Sequence, residues 1–229
     1  MQSLRPISNG FLLASTRTPR TAHQSVFTAL NHHYRQQRRT FLPSFLSSPQ
    51  TLNASRTLPY PPSTIYSIIS DVASYSQFLP YCQESLVTKT SASAPDGKTY
   101  PEEAKLTIGF NSDVSEQFWS RIYCVPDRVV EAIGGETETA LPAAEIKHHN
   151  PRPAFEQDPT RNSSVLSKLA TRWTIQPNGN MTEVNLAIEY QFANPMYAAL
   201  SSAAAPMVAD KMIEAFEKRV KDVAEMKSR

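Results

Sequence analysis

The chain has 229 residues, a formal net charge of +2 and 40% apolar residues, an ordinary balance for one or two packed domains. No run approaches the 18 or more apolar residues of a membrane-spanning helix; the early candidate Phe11-Leu12-Leu13-Ala14 is far too short. Its two cysteines, Cys82 and Cys124, lack CxxC spacing and nearby histidine, which excludes a cysteine metal site and leaves both as packing residues.

Charge is divided unevenly along the chain. Residues 1–56 hold seven of the 23 basic residues, all Arg, and the first acidic residue is Asp71, so the remainder carries a net charge of −5. An Arg-rich, Ser/Thr-rich, acid-free start is the composition of a mitochondrial transit peptide, which forms a positive amphipathic helix during import. Chloroplast import sequences and basic tails that bind RNA or membranes share it. Residues 1–50 are expected to be a disordered transit peptide, with processing near Arg38-Arg39-Thr40-Phe41-Leu42 and a mature N-terminus between about residues 40 and 55.

Ile65, Ile68, Ile69 and Val72 recur at i, i+3, i+4, i+7 and predict a short helix with one buried stripe. Pro61-Pro62 ends anything earlier, and Ser63 or Thr64 is placed to cap the helix. A second helical turn brings Tyr75, Phe78 and Leu79 to one side before Pro80 forces the chain into a strand over Glu84–Lys89. A turn at Ala94-Pro95-Asp96-Gly97-Lys98 leads to a strand in which Leu106, Ile108 and Phe110 alternate with Lys105, Thr107 and Gly109. Val114–Val125 carries apolar groups on both parities, and Pro126-Asp127 turns the chain into Arg128–Ile133. Residues 134–163 are rich in Pro, Glu, Thr, His and Asn and predict an insertion without fixed structure. It contains His148-His149, a pair without a third metal ligand at useful spacing.

Strands resume at Val165–Ile175 and, after a turn at Pro177-Asn178-Gly179-Asn180, in a run where Val184, Leu186, Ile188, Tyr190 and Phe192 share one face. Pro206 kinks or restarts the final helical region, beyond which Val208, Met212, Phe216, Val220 and Val223 form an apolar stripe. Helices, about six antiparallel strands and one long C-terminal helix make an α+β layer architecture.

The run Asp71-Val72-Ala73-Ser74-Tyr75-Ser76-Gln77-Phe78-Leu79-Pro80-Tyr81-Cys82 resembles a signature of the mitochondrial coenzyme Q-binding START-domain proteins, of the polyketide cyclase/lipid-transfer superfamily. Leu106-Thr107-Ile108-Gly109-Phe110 with Glu116-Gln117-Phe118, and the ending Ile213-Glu214-Ala215-Phe216-Glu217-Lys218-Arg219, agree in order and spacing. Asn111-Ser112-Asp113 departs from the Pro and apolar residues that such proteins tend to carry there. The resemblance implies a helix-grip (START/Bet v 1-like) domain over residues 56–229, its curved antiparallel sheet wrapped around the C-terminal helix with an apolar cavity between them. The ligand it implies is ubiquinone, with polyprenyl quinone precursors, bound peripherally at the matrix side of the mitochondrial inner membrane. The implied role is a carrier supporting coenzyme Q biosynthesis and respiratory electron transport, possible partners being the ubiquinone-biosynthesis enzymes and not nucleic acid.

Residue chemistry favours binding over catalysis. Outside the insertion the body has no histidine, and no GxSxG, Gly-rich phosphate loop or HExxH motif is present. No catalytic residue, metal or cofactor is therefore expected. By parity and resemblance, the pocket or lid residues are Phe78, Leu79, Tyr81, Leu106, Ile108, Phe110, Phe118, Trp119, Trp173, Tyr190, Met212 and Phe216. Two alternatives stay open: a polyketide cyclase/aromatase-like enzyme placing Arg121, Arg172 or Tyr123 inside the cavity, and a scaffold for ubiquinone-synthesis enzymes or the mitoribosome.

Overall fold

The computed structural model describes residues 48–109, 115–150, 165–194 and 205–227. Its elements are β1 (Gln50–Leu58), α1 (Pro62–Ile69), a 3₁₀ helix (Val72–Gln77), β2 (Cys82–Thr90), β3 (Pro101–Gly109), β4 (Ser115–Val125), β5 (Val129–Gly135), β6 (Leu166–Asn178), β7 (Met181–Phe192) and α2 (Ala205–Lys227). Seven antiparallel strands form one sheet in the order β1-β7-β6-β5-β4-β3-β2, with α2 against its concave face. This is the expected α+β helix-grip arrangement.

Side-chain period explains the packing. Ile65, Ile68 and Ile69 are buried on α1, as their spacing requires, but the helix ends at Ile69 and Val72 is buried as the first residue of the 3₁₀ helix. The predicted side-chain cap at Ser63 or Thr64 is not made: Pro61 is the N-cap and Pro62 opens the helix, where a missing N–H costs nothing. On α2 the buried line is Ala209, Ile213, Phe216 and Val220, with Val208, Met212 and Val223 half-buried beside it. Pro206 lies in the first turn of α2, where proline is well tolerated.

Seven strands replace the predicted six because β1 begins at Gln50, ahead of the expected domain start at residue 56. Its inward positions are Gln50, Leu52, Ala54, Arg56 and Leu58, too few large apolar residues for a clear alternation. What fixes it is pairing with β7 from Gln50↔Tyr190 to Leu58↔Thr182.

The largest departure is the insertion. Residues 134 and 135 complete β5, and 136–150 form an ordered strap on the convex side; residues 151–164 lie outside the described chain. Leu169 N–H donates to Thr137 Oγ1 at 3.2 Å, Thr139 Oγ1 donates to the Glu131 carboxylate, and Arg128 pairs with Glu145 at 2.6 Å. β3 pairs with β4 only as far as Glu103↔Arg121; beyond it, Cys124 N–H donates to His149 Nε2 at 2.9 Å. Asn150 Nδ2 donates to Glu102 Oε1 at 3.2 Å, and Arg121 donates to Asn150 O. A polar composition concealed this order because the strap satisfies exposed strand groups with side chains instead of burying large apolar residues.

His148 and His149 are buried in that strap, their rings 4.3 Å apart between Tyr100 and Tyr123. Burial, reinforced by His148, pushes the His149 imidazole down to about 4. Because the folded value lies below the unfolded one, the neutral form is favoured by folding: this stability is complete above about pH 6.5 and is lost as pH falls towards 4. Urea unfolding at pH 7.5 and pH 5 is expected to show a loss of about 2 kcal/mol from this group. His149→Gln, which keeps an acceptor for Cys124 N–H, should flatten that part of the profile.

Candidate ligand-binding site

Strand register sorts the candidate residues onto two faces. Leu106↔Phe118 and Ile108↔Glu116 pair between β3 and β4, and Trp173↔Leu186 and Leu169↔Tyr190 between β6 and β7. Directly opposed residues share a face, so Leu106, Ile108, Phe118, Trp173 and Tyr190 belong to the concave side. Trp119, one residue beyond Phe118, points the other way and sits opposite Lys105 on the convex face. Its earlier assignment to the pocket is corrected by that register; Val114–Val125 had apolar groups on both parities, and sequence alone did not separate them. Phe110 lies outside the described residues.

The centre of the concave side is Phe216. Its ring meets Trp173 at 4.6 Å, Phe78 at 5.0 Å and Tyr75 at 5.1 Å, all edge-on. Leu79 is buried beside this pile, and Met212 packs half-buried against the same core. Tyr75 was visible in sequence as the partner of Phe78 and Leu79 in one turn but was not placed in the site; its hydroxyl donates to Ile69 O and fixes the 3₁₀ helix against α1. Tyr190 lies farther along, donating to Gln50 Oε1 at 2.8 Å. Tyr81 stands at the rim, 37% exposed, with φ 65° in the left-handed region and its carbonyl accepting from Gly109 N at 2.9 Å.

Several inward-facing apolar residues remain half-buried: Phe78, Leu106, Ile108, Phe118 and Met212. Such surface, unfinished by the protein's own packing, suits an apolar ligand. Burial holds the ionisable groups near it neutral, pushing the Cys82 thiol up to about 11, the Cys124 thiol up to about 12, and the Tyr75 phenol far above its usual range.

Polar chemistry collects on the other face. Tyr123↔Glu131 and Glu131↔Arg172 form one convex row, in which Arg172 Nε donates to Glu131 Oε1 at 2.9 Å. Arg121 stacks over Tyr123 at 5.3 Å. A shallow depression of about 260 Å³ on that side is lined by Asn53, Ser55, Arg172 and Asn185, away from the aromatic pile. Among the described residues no cluster of metal ligands is found, and no helix is long and apolar enough to cross a membrane.

Because Phe216 is fully enclosed by three rings, Phe216→Ala is expected to destabilise the fold by about 3–5 kcal/mol in urea unfolding. Phe216→Leu should recover much of that loss.

A family model described as polyketide cyclase / dehydrase and lipid transport matches residues 58–217, from the end of β1 into α2. The mitochondrial coenzyme Q-binding protein coq10 of Schizosaccharomyces pombe is 31% identical over 170 residues, covering 73% of this chain and 85% of that protein. Its Saccharomyces cerevisiae counterpart is 30% identical, covering 69% of this chain and 65% of the relative. The crystal structure of the Zhui aromatase/cyclase from Streptomyces sp. R1128 superposes with a TM-score of 0.53 at 12% identity, covering 76% of this chain and 94% of that one, which is a likeness of fold. With a seven-stranded grip around one helix and a family match over most of its length, the chain belongs to the polyketide cyclase / dehydrase and lipid transport family.

Proposed function

We propose that this protein binds ubiquinone and its polyprenylated precursors and carries them at the matrix side of the mitochondrial inner membrane. The observation that carries this reading is the inward-facing apolar surface left half-buried, with Phe78 beside Phe216 and Leu106, Ile108, Phe118 and Met212 on the same concave side. Relatives named as mitochondrial coenzyme Q-binding proteins support the ligand and the organelle.

Energetics support a carrier that works on the membrane. Each buried CH₂ is worth roughly 0.8 kcal/mol, so a polyprenyl tail does not leave a bilayer unaided. A pocket of about 300–1,000 Å³ encloses the quinone ring and only part of such a tail. The rest of the tail stays in lipid, which makes the protein a peripheral one that supports respiration and hands ligand to ubiquinone-biosynthesis enzymes. A cyclase would draw on Arg121, Arg172 or Tyr123, but these lie on the convex face, Arg172 paired with Glu131. That placement favours binding without turnover. The residues ahead of β1 act as the transit peptide in this proposal, with cleavage no later than the bond before Gln50, because a cut inside β1 would remove partners of β7.

Protein produced from residue 41 onward in a ubiquinone-making host should carry stoichiometric ubiquinone on native mass spectrometry and organic extraction. Lipid-free protein, or turnover of a quinone precursor, would overturn the reading. N-terminal sequencing of the native protein should begin between about residues 40 and 50; retention of Met1 would remove the import proposal.

A further inference from the structure

Helix α2 sorts its charges by flank. At 100° per residue, Lys211, Lys218, Arg219 and Asp222 fall on one side, and Asp210, Glu214, Glu217 and Lys221 on the other. The contacts agree with this division: Glu217 meets Arg56 of β1 at 3.3 Å, while Lys211 and Arg219 reach the segment Gln77–Tyr81. The basic flank therefore lines a seam between α2 and that segment.

Two clips close the seam, and both have neutral partners. Lys211 Nζ donates to Tyr81 Oη at 3.2 Å and lies 5.7 Å from its ring centroid. Arg219 donates to Gln77 Oε1 at 3.4 Å and lies 5.5 Å over the Phe78 ring. The cations elsewhere on this helix meet carboxylates instead, Lys218 with Asp222 and Lys221 with Glu225. Behind the clips stands the Phe78–Phe216–Trp173 pile, and beside them Tyr81 holds a left-handed backbone and Met207 is 58% exposed. A non-glycine residue keeps such a conformation only while its surroundings hold it there.

We propose that the basic flank of α2 docks on an anionic lipid surface, and that lipid phosphates take Lys211 and Arg219 from Tyr81, Gln77 and Phe78, so that the membrane itself opens the seam onto the aromatic pile. Phosphate offers both cations charged hydrogen bonds in place of neutral and ring contacts, while Tyr81 and Met207 supply apolar groups for the interface. This inference rests on the lipid-carrier reading above and adds to it the entrance and its trigger.

The test is hydrogen exchange at the Phe78, Leu79 and Cys82 amides, which donate to Tyr75 O, Tyr75 O and Leu79 O. In the wild-type protein, exchange at these amides is expected to rise about tenfold on phosphatidylcholine vesicles containing phosphatidylglycerol and to stay unchanged on phosphatidylcholine alone. Lys211→Gln with Arg219→Gln should exchange fast already in solution, respond to neither vesicle and sediment less with the anionic one. Lys98→Gln with Lys221→Gln removes the same charge away from the seam and should behave as wild type. The proposal is overturned if protein sediments with anionic vesicles while these amides keep their rate, if it does not sediment at all, or if the control pair abolishes the response equally. Ubiquinone is scored separately by extraction: its absence with the vesicle response intact removes the ligand and leaves the docking surface standing.

Discussion

The concave face of seven strands has few elements to cover it: α1 packs on β5 and β6, the 3₁₀ helix on β2, and α2 on β1, β7 and α1. At 23 residues α2 is about 35 Å long, enough to cross the sheet, but it presents a stripe only one side chain wide at its buried centre. Phe216 compensates by standing edge-on to Tyr75, Phe78 and Trp173, which ties α2 at once to the 3₁₀ helix and to β6. Away from that contact the cover thins, and Leu106, Ile108 and Phe118 stay half-buried. That unfinished packing is the surface to which the ligand-binding proposal refers.

A strand puts successive side chains on opposite faces, and here that rule separates two kinds of chemistry. The concave face is apolar and its thiols and phenols are held neutral by burial. The convex face carries the Glu131–Arg172 pair, Tyr123 under Arg121, and the strap of residues 136–150. Buried charge on that side is satisfied by partners, Thr139 and Arg172 on Glu131 and Thr88 and Lys89 on Glu103. The strap is in effect a second, polar layer, and the burial that lowers the His149 imidazole makes it sensitive to acid.

Stability and access are distributed differently around α2. Towards β1 it is fixed by an ion pair and by close backbone approach, whereas towards Gln77–Tyr81 it is joined by aromatic packing inside and by exposed cation contacts outside. Exposed contacts of this kind are individually weak. The segment they hold includes Tyr81 in the left-handed region, a conformation that depends on its surroundings.

Period and punctuation made much of this legible in the sequence. The stripe Ile65-Ile68-Ile69, the turns at Asp96-Gly97 and Asn178-Gly179, and the alternation Val184 to Tyr190 depend on local backbone geometry, and each lies where its pattern required. Phe216, Phe78 and Trp173 were readable as inward because their elements bury one face only. Tertiary structure decided the rest. β1 exists because β7 offers it an edge, not because its own residues alternate strongly. Trp119 was assigned by register, since a strand apolar on both parities does not declare its inner face. The strap became ordered through hydrogen bonds to strand groups distant in sequence, such as Cys124 N–H to His149, and no local composition encodes a partner that far away.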